Sequence, residues 1–518
     1  MIRILMDRYS ETEDIHTSLY TVFNDLEKIL KSRFEIMKLP IIKGDNTFKI
    51  KQWINETGRY CAVFIGSSSL VINSLRETDW SGKVIFIALG SMPRGATSLR
   101  NCYRNLFCDD VIWFTSESDK EIYSELFSKE NSPQPEVIPF GIHTDVFYPI
   151  DEKNIKSLRK KYDLECSDFI LLYSGRITIE KNVHGILESL AFLVNMNLPV
   201  KLVIVGRIED NSFYEFKMAG INIKSRIEKI IKKLNITSQV IFIDWVSQEQ
   251  LNEFYNIANV IVNYSLHHDE NYGFSQIQAM ATGKPVIGTA WGGFKDYIID
   301  GVTGFSAGTY ISDFGIRYDM PSLVRAIFEL YKDSNFSKEL GKNGLDYVNS
   351  NFSFKIYKER MISLVERVTN NNKLRGNHLT LTDFGTKFHE RFSYKEDDKL
   401  VSLFPQYSDL ADDDYKRLIK PYTSYDHFPE NKCNFFLAIA GDISDSYFVS
   451  KDILYQFRYK LTFKQIQILK LLSRYYGKTI RLSEIEENEV LTPLLLRGIV
   501  GQSSVCFVNG RLINETIS

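Results

Sequence analysis

Short apolar runs alternate with amphipathic helical patterns along roughly the first 370 residues. The runs are continuous and rich in β-branched residues, which is typical of strands covered by helices on both faces of a parallel sheet. They form two series, at 2–6, 61–66, 83–89, 110–116 and 136–142, and then at 169–175, 201–206, 240–246, 258–265 and 284–290. Helical segments such as 18–32 and 225–235 separate them. The pattern predicts a doubly wound α/β fold.

The break between the two series falls at PFGIHTDVFYPIDEKN (139–154), where a strand-like run ends in Gly and Pro before a charged helix. It predicts a first Rossmann-like domain over 1–145 and a second over 146–372. Ligands of open α/β sheets bind beyond the carboxyl ends of the strands. We therefore expect loops of both domains to face one cleft.

The pattern changes after residue 372, and 373–518 reads as an additional α+β module. An acidic stretch at 409–417 precedes strand-like runs at 435–443 and 446–457. Then comes a predicted helix whose apolar positions recur every three or four residues up to Gly477. Asn509-Gly510 lies between two apolar runs, which predicts a β-hairpin. This is the order of elements in a winged-helix module.

Composition describes an ordinary globular protein of 518 residues, with 44% apolar residues, 25% charged residues and a net charge of −2. We expect no nucleic-acid partner. None of the six cysteines forms a CxxC pair, so a zinc ribbon or disulfide framework is not indicated. The first residues read as a strand rather than a signal peptide, and no apolar stretch reaches the ~18 residues of a membrane span. The chain is expected to be cytoplasmic, with peripheral membrane contact left open.

Two cations follow a strand in YSGRITIEKN (173–182). Gly175 lets the chain turn, and Arg176 and Lys181 then stand at the carboxyl end of the strand. Paired cations there suit a diphosphate, whose charge must be neutralised. The alternative is two solvated surface cations.

A second candidate element is ENYGFSQIQAM (270–280). Gly273 begins a helix whose first amides favour an anion. Glu270 lies just before it and would repel phosphate, so it suits the hydroxyls of a neutral group such as a sugar; alternatively it interacts with the helix dipole. The following segment TAWGGFKDYI (289–298) is either a tight loop near a ligand or an ordinary turn.

Four segments in order resemble motifs of retaining glycosyltransferases of the GT-B fold, family 4 (group 1), and cover much of 136–305. They are PFGIHTDVFYP, YSGRITIEKN, VIFIDWVSQEQLNEFYNIANVIVNYS and ENYGFSQIQAMATGKPVIGTAWGGFKDYIIDGVTGF. The resemblance implies two Rossmann-like domains and a donor, with a UDP-sugar favoured, bound mainly by the second domain. It also implies transfer with retention of configuration and without a metal ion or other cofactor.

The resemblance also implies roles for individual residues. Arg176 and Lys181 would stabilise the leaving diphosphate, and Glu270 would face the donor sugar as the first carboxylate of a Glu-x7-Glu motif. The remaining donor-binding candidates are Gly175, Arg207, Val246, Gly273, Phe274, Ser275 and Gln278.

The sequence departs from the family pattern at three points. Gln278 replaces the second Glu; it can still accept and donate hydrogen bonds but loses a charge-assisted bond worth ~1 kcal/mol. The N-terminal Gly-Gly loop is absent, and the His expected after the fourth strand is missing. His16 is the candidate substitute, or it caps or packs at a helix start. Arg94 and Arg100 each either contact the acceptor or are solvated.

The leading hypothesis is a retaining transferase that moves a hexose or N-acetylhexosamine to an acceptor hydroxyl. Saccharide, lipid-linked glycan, small-molecule and protein acceptors all fit, and no oligomeric state is indicated. The alternative is a catalytically weak or inactive subunit that stabilises a partner transferase. Residues 373–518 are assigned to acceptor or partner recognition. Adjacent His267 and His268 would point to opposite faces and lack a third ligand spaced for zinc.

Overall fold

The computed structural model describes most of the chain up to residue 391 and shorter stretches beyond it. The described ranges are 2–7, 17–39, 47–89, 92, 98–130, 132–178, 181–209, 222–266, 270, 272–312, 315–371, 376–391, 413–424, 434–437, 441–444, 447–450, 458–473, 480–481, 500–503, 507–508 and 511–512. By contacts, these residues divide into two compact units. The first comprises Met1–Gly141 and Ser350–Lys395, and the second Ile142–Asn349 and Glu396–Ser518.

The first unit contains a six-stranded parallel sheet in the order β2-β1-β3-β4-β5-β6. Its strands are β1 (Arg3–Met6), β2 (Glu35–Lys38), β3 (Val63–Gly66), β4 (Lys83–Ile87), β5 (Val111–Phe114) and β6 (Gln134–Val137). The described α-helices between these strands are α1 (Thr17–Lys31), α2 (Thr47–Glu56), α3 (Ser69–Arg76) and α4 (Glu117–Leu126). All four residues of β3 and of β5 are buried, as the continuous apolar runs predict.

The second unit contains another six-stranded parallel sheet, in the order β12-β11-β10-β7-β8-β9. Its strands are β7 (Phe169–Ser174), β8 (Val200–Val205), β9 (Val240–Ile243), β10 (Val260–Asn263), β11 (Val286–Thr289) and β12 (Phe305–Ala307). Its helices are α5 (Glu152–Lys161), α6 (Val183–Asn195), α7 (Ile223–Leu234), α8 (Gln248–Ile257), α9 (Phe274–Met280), α10 (Met320–Lys332) and α11 (Ser334–Asn351). An antiparallel pair, β13 (Thr309–Ser312) and β14 (Gly315–Tyr318), follows the sheet.

The predicted α/β fold with parallel sheets is confirmed, and each of the ten predicted runs contains or overlaps a strand. The short strands β2 and β12 were not predicted. β2 has the sequence EIMK and is exposed at both ends, so it lacks the buried apolar run that marks the others. It is held at the sheet edge by pairing with β1.

The chain returns to the first unit after residue 349. Helices α12 (Phe354–Asn370) and α13 (Asp383–Arg391) both belong to that unit. The Tyr357 ring lies 6.2 Å from the Trp113 ring, and Leu379 N–H donates to the Leu106 carbonyl at 2.7 Å. The sequence-based boundary assigned residues 350–372 to the second domain, because contacts between distant residues leave no local pattern.

Beyond residue 400, the described residues include α14 (Asp413–Ile419), α15 (Phe463–Ser473) and several short antiparallel strands. The strands are β15 (Asn434–Leu437), β16 (Gly441–Ser444), β17 (Tyr447–Ser450), β18 (Arg458–Lys460), β19 (Ile480–Arg481), β20 (Val500–Ser503), β21 (Phe507–Val508) and β22 (Arg511–Leu512). The predicted hairpin is present, since β21 and β22 pair across two intervening residues. The winged-helix assignment stays a prediction. In the described part of the chain, no helix is both long and apolar enough to cross a membrane.

Candidate active site at the carboxyl edge of the second sheet

The second sheet reverses its strand order between β7 and β10. Strand β7 pairs with β8 on one side and with β10 on the other, so the chain leaves β7 in one direction and returns on the opposite side. Such a switch point is where open α/β sheets bind ligands. Arg176 and Lys181 follow β7, and Glu270 follows β10, so the sheet order brings them to one edge.

Two glycines allow the ends of β7 and β8 to approach each other closely. Gly175 has a φ of 143° and Gly206 a φ of 145°, and a β carbon on Gly206 would lie 2.0 Å from the Gly175 carbonyl oxygen. Ile177 N–H then donates to the Arg207 carbonyl at 2.8 Å. The loops that carry Arg176 and Arg207 are thereby joined through their backbones.

Asn182 connects the loop after β7 to the end of β10. It adopts a left-handed conformation with a φ of 51°, which Asn tolerates better than most residues, and it immediately precedes α6. Its side-chain Nδ2 donates to the Tyr264 carbonyl at 2.9 Å, and the residue is buried. This bond fixes the backbone next to Lys181 relative to the strand that leads to Glu270.

Lys181 and Glu270 form an ion pair at this edge. The Lys181 ammonium donates to Glu270 Oε2, and the exposed fractions of the two side chains are 20% and 9%. A carboxylate this deeply buried needs a partner that offsets its desolvation. The two residues singled out from separate motifs therefore meet directly.

Arg176 lies in a second ion pair, with its Nη1 3.3 Å from Glu209 Oε2. Its backbone carbonyl accepts a hydrogen bond from the Tyr173 hydroxyl at 2.7 Å. Glu209 follows β8 and was not singled out from the sequence, because a single acidic residue in a loop carries no pattern. Arg176 and Lys181 are each paired with a carboxylate that a ligand phosphate would have to replace.

Gln278 lies on α9 and joins a polar chain that leads back to β7. Ser174 Oγ is 2.8 Å from the Tyr255 hydroxyl, which in turn donates to Gln278 Oε1 at 3.4 Å. Burial raises the pKa of Tyr255, so the phenol stays neutral and can donate. Tyr255 was also missed in the sequence, where it reads as an apolar position of α8.

Gly273, at the start of α9, packs on the segment 291–297. Gly273 has a φ of 83°, and a β carbon there would lie 2.2 Å from Phe294 Cε1. The Tyr297 hydroxyl donates to the Gly273 carbonyl at 3.1 Å, and burial together with the charge of Glu270 raises the pKa of that phenol. Ser275 Oγ lies 3.4 Å from Asn263 Nδ2. Phe274 begins α9, and its ring lies edge-on to Tyr272.

The remaining predicted donor-binding residues surround an exposed tryptophan. Arg207 Nε is 3.7 Å from Asp244 Oδ1, and its guanidinium lies 5.8 Å from the centre of the Trp245 ring. Trp245 is 62% exposed, and Val246 beside it is half-buried. The sequence predicted Val246 and not Trp245, because the exposure of this tryptophan is visible only in the structure.

The other predicted residues fall elsewhere. His16, Arg94, His267 and His268 lie outside the described residues, whereas Arg100 is buried in the first unit. Where the structure describes the chain, no cluster of three or more His, Cys, Asp or Glu side chains could hold a metal ion.

Asp7 marks the corresponding edge of the first sheet and was not predicted. It directly follows β1 and lies where the order of that sheet reverses, between β1 and β3. Its Oδ2 accepts the N–H groups of Ser67 at 2.7 Å and Ser68 at 3.1 Å. Burial raises the pKa of Asp7 to about 6, although the two amides oppose the shift.

The profile of the family described as glycosyl transferases group 1 matches residues 154–346, which include every residue of the site at the second sheet. We call residues 154–346 the group 1 domain, after the family whose profile they match. The match confirms the group 1 resemblance seen in the sequence.

Two curated relatives show how far the likeness to the group 1 domain extends. The capsular polysaccharide biosynthesis glycosyltransferase CapM of Staphylococcus aureus is 29% identical over 266 residues, covering 50% of this chain and 62% of that protein. The N-acetyl-alpha-D-glucosaminyl L-malate synthase of Bacillus anthracis is 26% identical over 305 residues, covering 59% and 68%. The chain spans about half the length of the other leading relatives it matches.

Among solved structures, Anabaena Alr3699/HepE in complex with UDP-glucose has a TM-score of 0.54 and 13% identity. The match covers 71% of this chain and 100% of that one, so the likeness extends beyond the group 1 domain. This structural likeness and the two parallel six-stranded sheets together establish a GT-B fold of two Rossmann-like domains.

Proposed function

We propose that this protein is a retaining glycosyltransferase that moves a hexose or N-acetylhexosamine from a nucleotide-diphosphate sugar to an acceptor hydroxyl. The observation that carries the proposal is the Lys181–Glu270 ion pair at the switch point of the second sheet. At this edge the cation suits the diphosphate of a nucleotide sugar, and the carboxylate suits the hydroxyls of its sugar. The Anabaena structure of the same fold holds UDP-glucose, which supports a UDP-sugar donor.

In the proposed reaction, the bond between the anomeric carbon and the diphosphate oxygen breaks, and its electron pair leaves with the diphosphate. Lys181 and Arg176 neutralise the charge that develops on the leaving group. Glu270, released from Lys181 by the phosphate, accepts hydrogen bonds from the sugar hydroxyls. The acceptor oxygen attacks from the side of the leaving group, and its proton passes to a phosphate oxygen.

The proposed transfer is independent of metal ions and of any other cofactor. Two cations at the carboxyl end of β7 supply positive charge of the kind a divalent ion supplies elsewhere. Turnover in the presence of EDTA should therefore equal turnover without it, and a requirement for added Mg²⁺ or Mn²⁺ would refute this part of the proposal.

The test is release of nucleoside diphosphate across a panel of sugar nucleotides. Lys181→Ala and Glu270→Ala should each lower turnover by about 100-fold or more. Lys201→Ala is the matched control, because Lys201 forms a similarly sheltered ion pair with Asp168 at the amino end of the same sheet. Turnover by Lys181→Ala at the rate of the control would refute the site assignment.

A second candidate function is a catalytically weak subunit that stabilises a partner transferase. Gln278 favours it, because this position lacks the carboxylate that the family uses to hold ribose. In that case the wild-type chain would bind UDP without releasing it from any sugar nucleotide. Turnover with one sugar nucleotide is enough to reject this candidate.

A further inference from the structure

Residues 413–424 pack within the second unit beside the Glu270 loop, although they lie outside the group 1 domain. They form α14 and then a 3₁₀ turn at Lys420–Tyr422. We call residues 413–424 the docked segment. It contacts the turn Gly292–Asp296 after β11 and the start of β13.

Lys295 holds the end of the 3₁₀ turn. Its ammonium donates to the carbonyl oxygens of Pro421 and Thr423, the latter at 3.1 Å. Carbonyls at the end of a helical turn lack helical partners and carry negative partial charge, so a cation is favourable there. Lys295 thereby ties the docked segment to the turn that follows β11.

Ser424 provides a second attachment, to Thr309. Thr309 N–H donates to Ser424 Oγ at 2.7 Å, and Ser424 N–H donates to Thr309 Oγ1 at 3.1 Å. Thr309 Oγ1 in turn donates to the Ala290 carbonyl at 2.7 Å. The docked segment is therefore linked through Thr309 to the end of β11, just before Trp291.

Tyr422 lies between these two attachments and is fully buried. Its ring centre is 5.3 Å from that of Trp291, which is also fully buried. A β carbon on Gly292 would lie 2.6 Å from the Glu270 carbonyl oxygen and 3.5 Å from Tyr422 Cδ1. The backbone at Gly292 therefore has the Glu270 backbone and the Tyr422 ring as close neighbours.

We propose that the docked segment, through Tyr422, positions Glu270 for the donor sugar. With the Tyr422 ring in place, Trp291 and Gly292 are held against the backbone of Glu270, whose side chain reaches Lys181. Tyr422 is thus a positioning residue supplied from outside the group 1 domain. This inference rests on the proposed function for the role of Glu270.

The experiment compares full-length Tyr422→Ala, Tyr422→Phe and Phe169→Ala with wild type. Tyr422→Phe keeps the ring. Phe169→Ala removes a buried aromatic side chain at the amino end of β7, at the opposite edge of the same sheet from the site. Hydrogen exchange is followed in peptides covering 264–280 and 286–297, together with kcat and the Kd for UDP.

Tyr422→Ala should exchange faster in both peptides and lose about 10-fold or more in kcat, because small misplacements of a substrate-contacting group are costly. Its Kd for UDP should stay within about two-fold, since the phosphate-binding cations remain. Tyr422→Phe should keep the wild-type hydrogen exchange and the wild-type kcat. Phe169→Ala should lower the Tm without this exchange pattern.

Wild-type exchange in Tyr422→Ala, or the same exchange pattern in Phe169→Ala, would overturn the positioning role. The exchange comparison does not depend on turnover. If wild type releases UDP from no sugar nucleotide, the proposed function fails, and the exchange data still decide whether Tyr422 orders the Glu270 loop.

Discussion

At the scale of single residues, Gln278 is the clearest departure from the family pattern, and the structure gives it a defined partner. The Tyr255 hydroxyl donates to its carbonyl oxygen, so that oxygen is already engaged by the protein. The Gln278 amide group remains as a donor toward a ligand. A ribose hydroxyl held here would therefore act as an acceptor.

Gln278→Glu should tighten UDP binding about five-fold, because a carboxylate would accept a charge-assisted hydrogen bond from the ribose hydroxyl in place of the neutral bond that the Gln278 amide group donates. Isothermal titration with UDP measures the change. A dideoxy analogue of UDP that lacks both ribose hydroxyls is the control, and the gain should vanish with it. An equal gain with the analogue would show that Gln278 does not face ribose.

Asp7 is predicted to make stability depend on pH. Its folded-state pKa of about 6 exceeds the usual 3.8, so the folded chain binds more protons than the unfolded chain between these values. Its stabilising contribution is complete below pH ~4 and is lost as the pH rises through about 6, by about 3 kcal/mol in all.

Asp7→Asn removes this titration while keeping an oxygen that can accept from Ser67. Urea unfolding at several pH values between 4 and 7 measures the free energy of unfolding of both chains. The value for the variant should therefore rise relative to that of wild type as the pH increases. The same difference between variant and wild type at every pH would contradict the argument.

At the scale of elements, the site depends on how closely the strand ends approach. Gly175 and Gly206 directly follow neighbouring strands, and neither position tolerates a side chain without strain because both have positive φ. Asn182 then joins the loop after β7 to the end of β10. These contacts fix the loop positions that lead to the Lys181–Glu270 pair.

Gly206→Ala should lower the free energy of unfolding by about 3 kcal/mol or more, since it adds both backbone strain and a clash with the Gly175 carbonyl. Gly301→Ala is the matched control. Gly301 also has positive φ, at 71°, but a β carbon there would meet nothing within 4 Å, so a cost of about 1 kcal/mol is expected. Chemical unfolding measures both. Equal costs would mean that the close approach of the strand ends is unimportant.

At the scale of the whole molecule, segments distant in sequence complete both units. Helix α12 packs in the first unit although it follows the group 1 domain, and the docked segment completes the second unit from beyond that domain. The sequence-based assignment of 373–518 to acceptor or partner recognition is a separate proposal.

A chain ending at Ser424 should keep its affinity for UDP within about two-fold, because the docked segment and the donor site are intact. If residues 425–518 recognise the acceptor, this chain should lose transfer while still hydrolysing the sugar nucleotide. Product analysis with a panel of acceptors separates the two activities. Unchanged transfer would exclude an acceptor role for 425–518.

The sequence by itself determined the two parallel sheets, because strands buried on both faces must be continuous apolar runs. It also placed Arg176, Lys181 and Glu270 just after such runs, and parallel strands present their carboxyl ends at one edge. The four ordered motifs added the resemblance to group 1 glycosyltransferases. Each of these conclusions rests on residues close together in the chain.

Only the tertiary structure decided which residues support the site. Tyr255, Asn182 and Glu209 act through contacts across 23 to 82 positions of sequence, and Tyr422 reaches Trp291 from outside the motifs. Asp7 reads as an ordinary strand-end residue until the switch point of the first sheet is known. Strand order and long-range packing set these partners, and neither has a local signature in the sequence.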